Sequence, residues 1–117
     1  MDQERTFKRY VLEAFAFTKA SIEQNPFAGK TTSQFAIEAN INRKQLQAAF
    51  RVLTGMGIQE YQLTQRMEQS RQLLRTGKTT IKAIAINCGY KSQRAFTTAF
   101  KRSYGLTPSE FQNCPTK

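Results

Sequence analysis

Two polar stripes hold the side chains best suited to chemistry in this chain of 117 residues. In RKQLQAAFRVL, placing Leu46, Ala49, Phe50 and Leu53 inward at about 100° per residue points Lys44, Gln47, Ala48 and Arg51 outward. Arg43 stands at the exposed start of that stretch. In QRAFTTAFKRSY, placing Phe96 and Phe100 inward points Arg94, Thr97, Thr98 and Lys101 outward. Neither stripe contains a carboxylate, although a solvated helix face usually mixes signs. Guanidinium, amide and hydroxyl groups in such a row suit recognition of an anionic, flat-edged partner more than bond breaking. The chain has no histidine, no cysteine cluster at metal-ligand spacing, no G-x-x-x-x-G-K-[ST] loop and no paired carboxylates beside a nucleophile. An enzyme is therefore disfavoured, and no cofactor or metal is expected.

The elements that must position these stripes are legible from punctuation and period. Across residues 80–112, Ile81, Ile84, Ala85 and Cys88 recur at the spacing of one buried helical face. Gly89 permits a sharp turn, and a second helix then buries Phe96, Ala99, Phe100 and Ser103, with Tyr104 at its edge. Gly105 suits a helix end, and Thr107-Pro108-Ser109-Glu110 is a capping box with proline at the first helical position. The unit is a helix-turn-helix.

Upstream, residues 4–25 predict a helix with Phe7, Val11, Ala14, Phe15, Thr18 and Ile22 as its apolar stripe; Tyr10 and Phe17 are expected to cover the core edge. Thr31-Thr32-Ser33-Gln34 reads as a capping box before a short helix that turns Phe35, Ala36 and Ala39 inward. Asn40-Ile41-Asn42 makes the next turn, with Asn42 and Gln45 capping the helix that follows and Gly55 ending it. Residues 58–76 predict a long helix of roughly 28 Å, packing through Ile58, Tyr61, Leu63, Met67, Leu73 and Leu74.

These stretches repeat. Phe35/Ile84, Ala36/Ala85 and Asn40/Gly89 match at an offset of 49. Leu46/Phe96, Ala49/Ala99, Phe50/Phe100, Gly55/Gly105, Glu60/Glu110 and Tyr61/Phe111 match at an offset of 50, so the second turn holds one extra residue. Two copies do not make a solenoid. They make two helix-turn-helix units joined by one long helix, a spacer suited to major grooves that recur about every 34 Å on one face of a duplex.

Charge is distributed along the same line. Residues 1–41 hold five acids and five bases, whereas residues 42–117 hold three acids and thirteen bases, giving the whole chain +10. A polyanion is the implied partner, with nucleic acid ahead of a membrane surface. Cys88 falls on a buried stripe and Cys114 in a polar tail, which is no disulfide framework. No signal peptide and no apolar run of membrane-spanning length occurs, so a soluble cytoplasmic protein is expected.

The residues now in place resemble the DNA-binding domain of the AraC/XylS family of bacterial transcription regulators. The resemblance rests on I-x-x-I-A-x-x-x-G-Y (Ile81 to Tyr90), A-F-K-R-x-Y-G-L-T-P-x-E-F (Ala99 to Phe111) and R-x-x-x-S-x-x-L-L (Arg66 to Leu74), and it covers about residues 7–112. Asn40 departs from the family's turn glycine and Asn42 from its capping serine, but both substitutes can do the same backbone job.

The resemblance implies an all-α fold of about seven helices, in which residues 5–56 form the first helix-turn-helix subdomain, 57–77 a linker helix and 78–113 the second. It also implies sequence-specific binding of double-stranded DNA at an asymmetric promoter site, as a monomeric domain without membrane association. Activation through RNA polymerase is a further family expectation, as is a separate effector or dimerisation domain in usual members.

Arginine reads guanine bidentately, and glutamine reads adenine. The expected base readers are therefore Arg43, Lys44, Gln47 and Ala48 in one helix and Gln93, Arg94, Thr97 and Thr98 in the other. Arg43 and Arg94 have phosphate contact as their alternative. Arg51, Lys91, Ser92, Lys101 and Arg102 are expected at phosphates, with helix N-termini near Thr32 and Thr80 adding amide contacts. Arg66 is expected to be structural, while Arg71, Arg75 and Lys78 read as solvated. A nonspecific basic DNA-binding module is the alternative function, since it shares the charge but has no need of two matched reading helices.

Overall fold

The computed structural model describes residues 7–113, and within them every regular element is helical. The α-helices are α1 (Arg9–Gln24), α2 (Thr32–Glu38), α3 (Arg43–Thr54), α4 (Ile58–Thr76), α5 (Ile81–Asn87), α6 (Gln93–Tyr104) and α7 (Pro108–Asn113), with a 3-10 turn at Pro26–Ala28. The chain divides into two compact units, one ending at Gln65 and the other starting at Arg66. That boundary falls inside α4, which packs into each core with a different half.

In the first unit, Ala14 and Ile22 of α1, Phe35 and Ala36 of α2, Leu46 and Phe50 of α3, and Ile58 and Tyr61 of α4 form one buried cluster. Phe50 sits at its centre, its ring 4.8 Å from Phe15 and 5.7 Å from Tyr61, both edge-on. The Tyr61 hydroxyl donates to the carboxylate of Glu23, which Lys19 also meets at 2.8 Å. These two donors hold the Glu23 carboxyl below the usual carboxylate range.

The second unit buries Met67, Ser70 and Leu74 of α4 with Ile84, Ala85, Cys88, Phe96 and Phe100. Its rings form a connected series: Tyr90 to Phe96 at 5.8 Å, Phe96 to Phe100 at 5.7 Å, and Phe100 to Tyr104 at 4.7 Å and Phe111 at 5.8 Å. Arg66 is structural, as the sequence implied: its guanidinium donates to the Cys88 carbonyl at 3.2 Å, beside the turn. Ser70 bonds back to the Arg66 carbonyl at 2.8 Å and lies 2.9 Å from the Cys88 sulfur.

Several sequence expectations need correction. Tyr10 and Phe17 do not cover the core, being 50% and 56% exposed. Leu63 and Ser103 likewise face solvent, because neighbours one helical step away fill the packing positions. Gln45 does not cap α3; its amide donates to the Tyr10 hydroxyl at 2.8 Å. Arg71 and Arg75 are not simply solvated. Arg71 pairs with Glu68 at 2.8 Å and lies 5.2 Å over the Tyr104 ring, while Arg75 lies 4.8 Å over Phe111. Cys114 lies outside the described residues.

Glu68 also accepts from the Tyr104 hydroxyl at 2.9 Å. Burial first, then this hydrogen bond, pushes the Tyr104 phenol up to about 12. The folded state thus favours the neutral phenol, and that contribution is intact below the ordinary phenol value of about 10. Stability should fall as pH rises from there through about 12. Ultraviolet titration should show this late phenolate step, and Tyr104→Phe should remove it; a step left in place would assign it to another tyrosine.

Candidate nucleic-acid interface

Each unit aims its second helix by the same backbone device. Asn40 adopts φ 56° and Gly89 φ 92°, both left-handed. Around Asn40, the Ile41 N–H donates to the Ala36 carbonyl at 3.0 Å; around Gly89, the Tyr90 N–H donates to the Ala85 carbonyl at 3.1 Å. This six-to-one bond closes the first helix and turns the chain sharply. One residue then separates Asn40 from the cap of α3 and two separate Gly89 from the cap of α6, so the extra residue of the second turn lies between its tyrosine and its cap.

The caps fix where each recognition helix begins. Asn42 Oδ1 accepts from the Lys44 N–H at 2.7 Å, and Ser92 Oγ accepts from the Ala95 N–H at 3.1 Å. The Ser92 hydroxyl proton remains free to donate, as a phosphate contact requires. Both helices end at glycines with φ 80°, Gly55 and Gly105. Within them Leu46 and Phe96, Ala49 and Ala99, and Phe50 and Phe100 occupy matching positions, and Leu46, Ala49, Phe50, Phe96 and Phe100 are buried.

With those faces anchored, Arg43, Lys44, Ala48 and Arg51 of α3 are exposed. With Thr32 and Gln47 they line a surface cavity of about 420 Å³ that has no carboxylate among its lining residues. On α6, Gln93, Arg94, Thr98, Lys101 and Arg102 are exposed, as are Lys91 and Ser92 before it; Thr97 is half-buried. The Thr98 hydroxyl donates to the Arg94 carbonyl at 3.1 Å, which leaves its oxygen as an acceptor. The ion pairs among the described residues join Arg9 to Glu13, Lys19 to Glu23, Lys30 to Glu38 and Arg71 to Glu68. None of them uses a cation of either reading face.

Gln47 has a contact that the sequence reading did not anticipate. It is half-buried, and its Oε1 accepts from the Ile58 N–H at 3.0 Å. A bidentate reading of adenine needs that oxygen for the base N6 amino group. In this arrangement one of its two lone pairs already serves the first turn of α4. Sequence reasoning missed the contact because Gln47 and Ile58 lie on different helices, and periodicity speaks only about one helix at a time.

The family model of the helix-turn-helix domain matches residues 35–113, covering the three helices beyond α4 and both reading faces. This chain belongs to the AraC-type helix-turn-helix family. A putative AraC-like transcription regulator of Streptomyces lividans is 34% identical over 95 residues, which is 81% of this chain and 31% of that protein. The transcriptional activator RhaR of Escherichia coli O1:K1 is 29% identical over 108 residues, 92% of this chain and 37% of RhaR. The AraC-type chain thus spans about a third of the length of these relatives. Among solved structures, the DNA-binding domain of AdpA in complex with a target DNA is 26% identical with a TM-score of 0.73, over 84% of this chain and 88% of that one. A DNA-binding dual regulator from Escherichia coli K-12 has the same identity and TM-score over 85% and 88%.

The turn makes a direct prediction. Left-handed backbone costs a side chain about 1–2 kcal/mol, most for β-branched residues. Asn40→Val should therefore lose about that much stability in urea titration, whereas Asn40→Gly should lose little. Equal losses for both would place the role of Asn40 in its side chain rather than its backbone.

Proposed function

We propose that this chain is the sequence-specific DNA-binding domain of a bacterial transcription regulator, setting α3 and α6 into successive major grooves of an asymmetric site. One observation carries the reading: the same capped, turn-aimed helix occurs twice, each time with exposed cations that no carboxylate among the described residues pairs. A nonspecific binder needs the charge but not a duplicated pair of aimed helices. The relatives described as transcription regulators, and the AdpA domain solved with its target DNA, support the same reading.

The proposed base contacts come from Arg43, Lys44 and Ala48 on α3 and from Gln93, Arg94, Thr97 and Thr98 on α6. Arginine and lysine donate to guanine O6 and N7, Gln93 suits adenine, and Ala48 with the threonine methyls suits thymine methyl groups. Arg51, Lys91, Ser92, Lys101 and Arg102 take phosphates, which set register and affinity without carrying sequence information. The long helix α4 is the linker that joins the two units. The domain binds as a monomer, because one chain already supplies both half-contacts.

Selection of bound sequences from random duplexes tests this reading. Two short blocks with centres about one helical turn, roughly 34 Å, apart are expected; enrichment of no sequence would leave nonspecific binding instead. Arg94→Ala should cost about 1–3 kcal/mol on the selected site and relax choice at one base pair. Equal loss on random DNA would make Arg94 a phosphate contact. Lys101→Ala should weaken binding to every duplex and reduce the salt slope by about one. An unchanged slope would take Lys101 off the interface.

A further inference from the structure

The two units do not begin their post-recognition helices in the same way, and the difference falls on Gln47. At an offset of 50, Gly57-Ile58-Gln59-Glu60 of the first unit matches Thr107-Pro108-Ser109-Glu110 of the second. In the second unit the helix start is self-sufficient. Thr107 Oγ1 accepts from the Glu110 N–H at 3.1 Å, and Glu110 Oε1 accepts from the Thr107 N–H at 2.9 Å. Pro108 has no N–H at the first helical position, so that position needs no acceptor.

The first unit has neither advantage. Gly57 has no side chain with which to cap, and Ile58 has an N–H that proline would have removed. Only half of the box survives, Glu60 Oε1 accepting from the Gly57 N–H at 3.4 Å. Ile58 is fully buried, so water cannot serve its N–H cheaply. The acceptor comes instead from the recognition helix, as Gln47 Oε1 at 3.0 Å. Gly57 is shaped to receive that side chain: a Cβ there would stand 3.3 Å from Gln47 Nε2 and 3.4 Å from an Arg51 guanidinium nitrogen.

From this we infer that Gln47 is a positioning residue, whose amide oxygen staples α3 to the first turn of α4 and so holds Arg43, Lys44 and Arg51 in register. The partner of Gln47 at an offset of 50 is Thr97 on α6, and Pro108 leaves it no such task. Residues at one position of the repeat therefore do different work: Gln47 holds its helix in place, while Thr97 is free for a base.

The inference concerns how the proposed DNA site is held and rests on that reading for its binding arm alone. The test uses the 117-residue chain, its melting temperature without DNA, and its affinity and base preference on the selected duplex. Gln47→Ala should lower the melting temperature by on the order of 5 °C, the usual scale of a lost helix cap. It should also weaken specific binding about fivefold.

The decisive comparison places Gln47→Ala in an Ile58→Pro background, which removes the N–H that the amide serves, as Pro108 does in the second unit. If Gln47 positions through that bond, Gln47→Ala lowers neither melting temperature nor base preference further in this background. A further loss of binding there at unchanged melting temperature would show that Gln47 itself reads DNA and would overturn the inference. An unchanged melting temperature in Gln47→Ala alone would overturn it too. If the unaltered chain binds no duplex, the DNA reading fails, and the melting temperatures still decide whether the staple exists.

Discussion

Burial of one aromatic ring at the eighth position of each recognition helix constrains everything on the reading faces. Phe50 in α3 and Phe100 in α6 are both fully buried, Phe50 against Phe15 and Tyr61 and Phe100 against Phe111, rings from other segments of the same unit. Truncating a buried phenylalanine to alanine costs about 3–5 kcal/mol, which exceeds any preference an exposed arginine or glutamine has for facing solvent. The rotation of each helix about its axis is therefore settled by the core. The cationic side is presented because it lies opposite the ring, and changing the reading residues need not disturb the fold.

The same logic explains the division of charge. Carboxylates in both units are occupied close to home, Glu23 with Lys19 and Tyr61, Glu68 with Arg71 and Tyr104, and Glu110 with its own cap at Thr107. Exposed pairs of this kind add little stability. Their consequence is electrostatic, since among the described residues no ion pair takes up a cation of α3 or α6, which leaves those cations available to a polyanion. Backbone devices then set direction: a left-handed residue at Asn40 or Gly89 turns the chain, and a side-chain cap at Asn42 or Ser92 starts the next helix. Neither device requires the two units to be identical. Asparagine serves in one where glycine serves in the other.

Much of this was legible in the residue order, for a definite reason. Period, glycine, proline and capping residues act over a few positions, so the span of α4, the turn at Asn40, the box at Thr107–Glu110 and the inward rows of α3 and α6 could be read directly. The repeat added a consistency check, because two stretches that fold alike must place equivalent residues alike. Reading failed at margins. Tyr10, Phe17, Leu63 and Ser103 lie a fraction of a helical turn from buried neighbours, and which side of the boundary they fall on depends on the shape of the element packed opposite.

What the sequence determined by itself was the set of helices, their inward rows and the acid-free composition of two exposed faces, since all three follow from interactions within a few residues. What only the tertiary structure decided was how individual polar side chains are spent. Gln45 bonds to Tyr10, Gln47 accepts from Ile58, Arg66 serves the Cys88 carbonyl, and Arg71 and Arg75 lie over Tyr104 and Phe111. Each of these partners sits on another segment. Such a hydrogen bond or stacking contact depends on distance and direction between elements, and no pattern along a single helix contains either quantity.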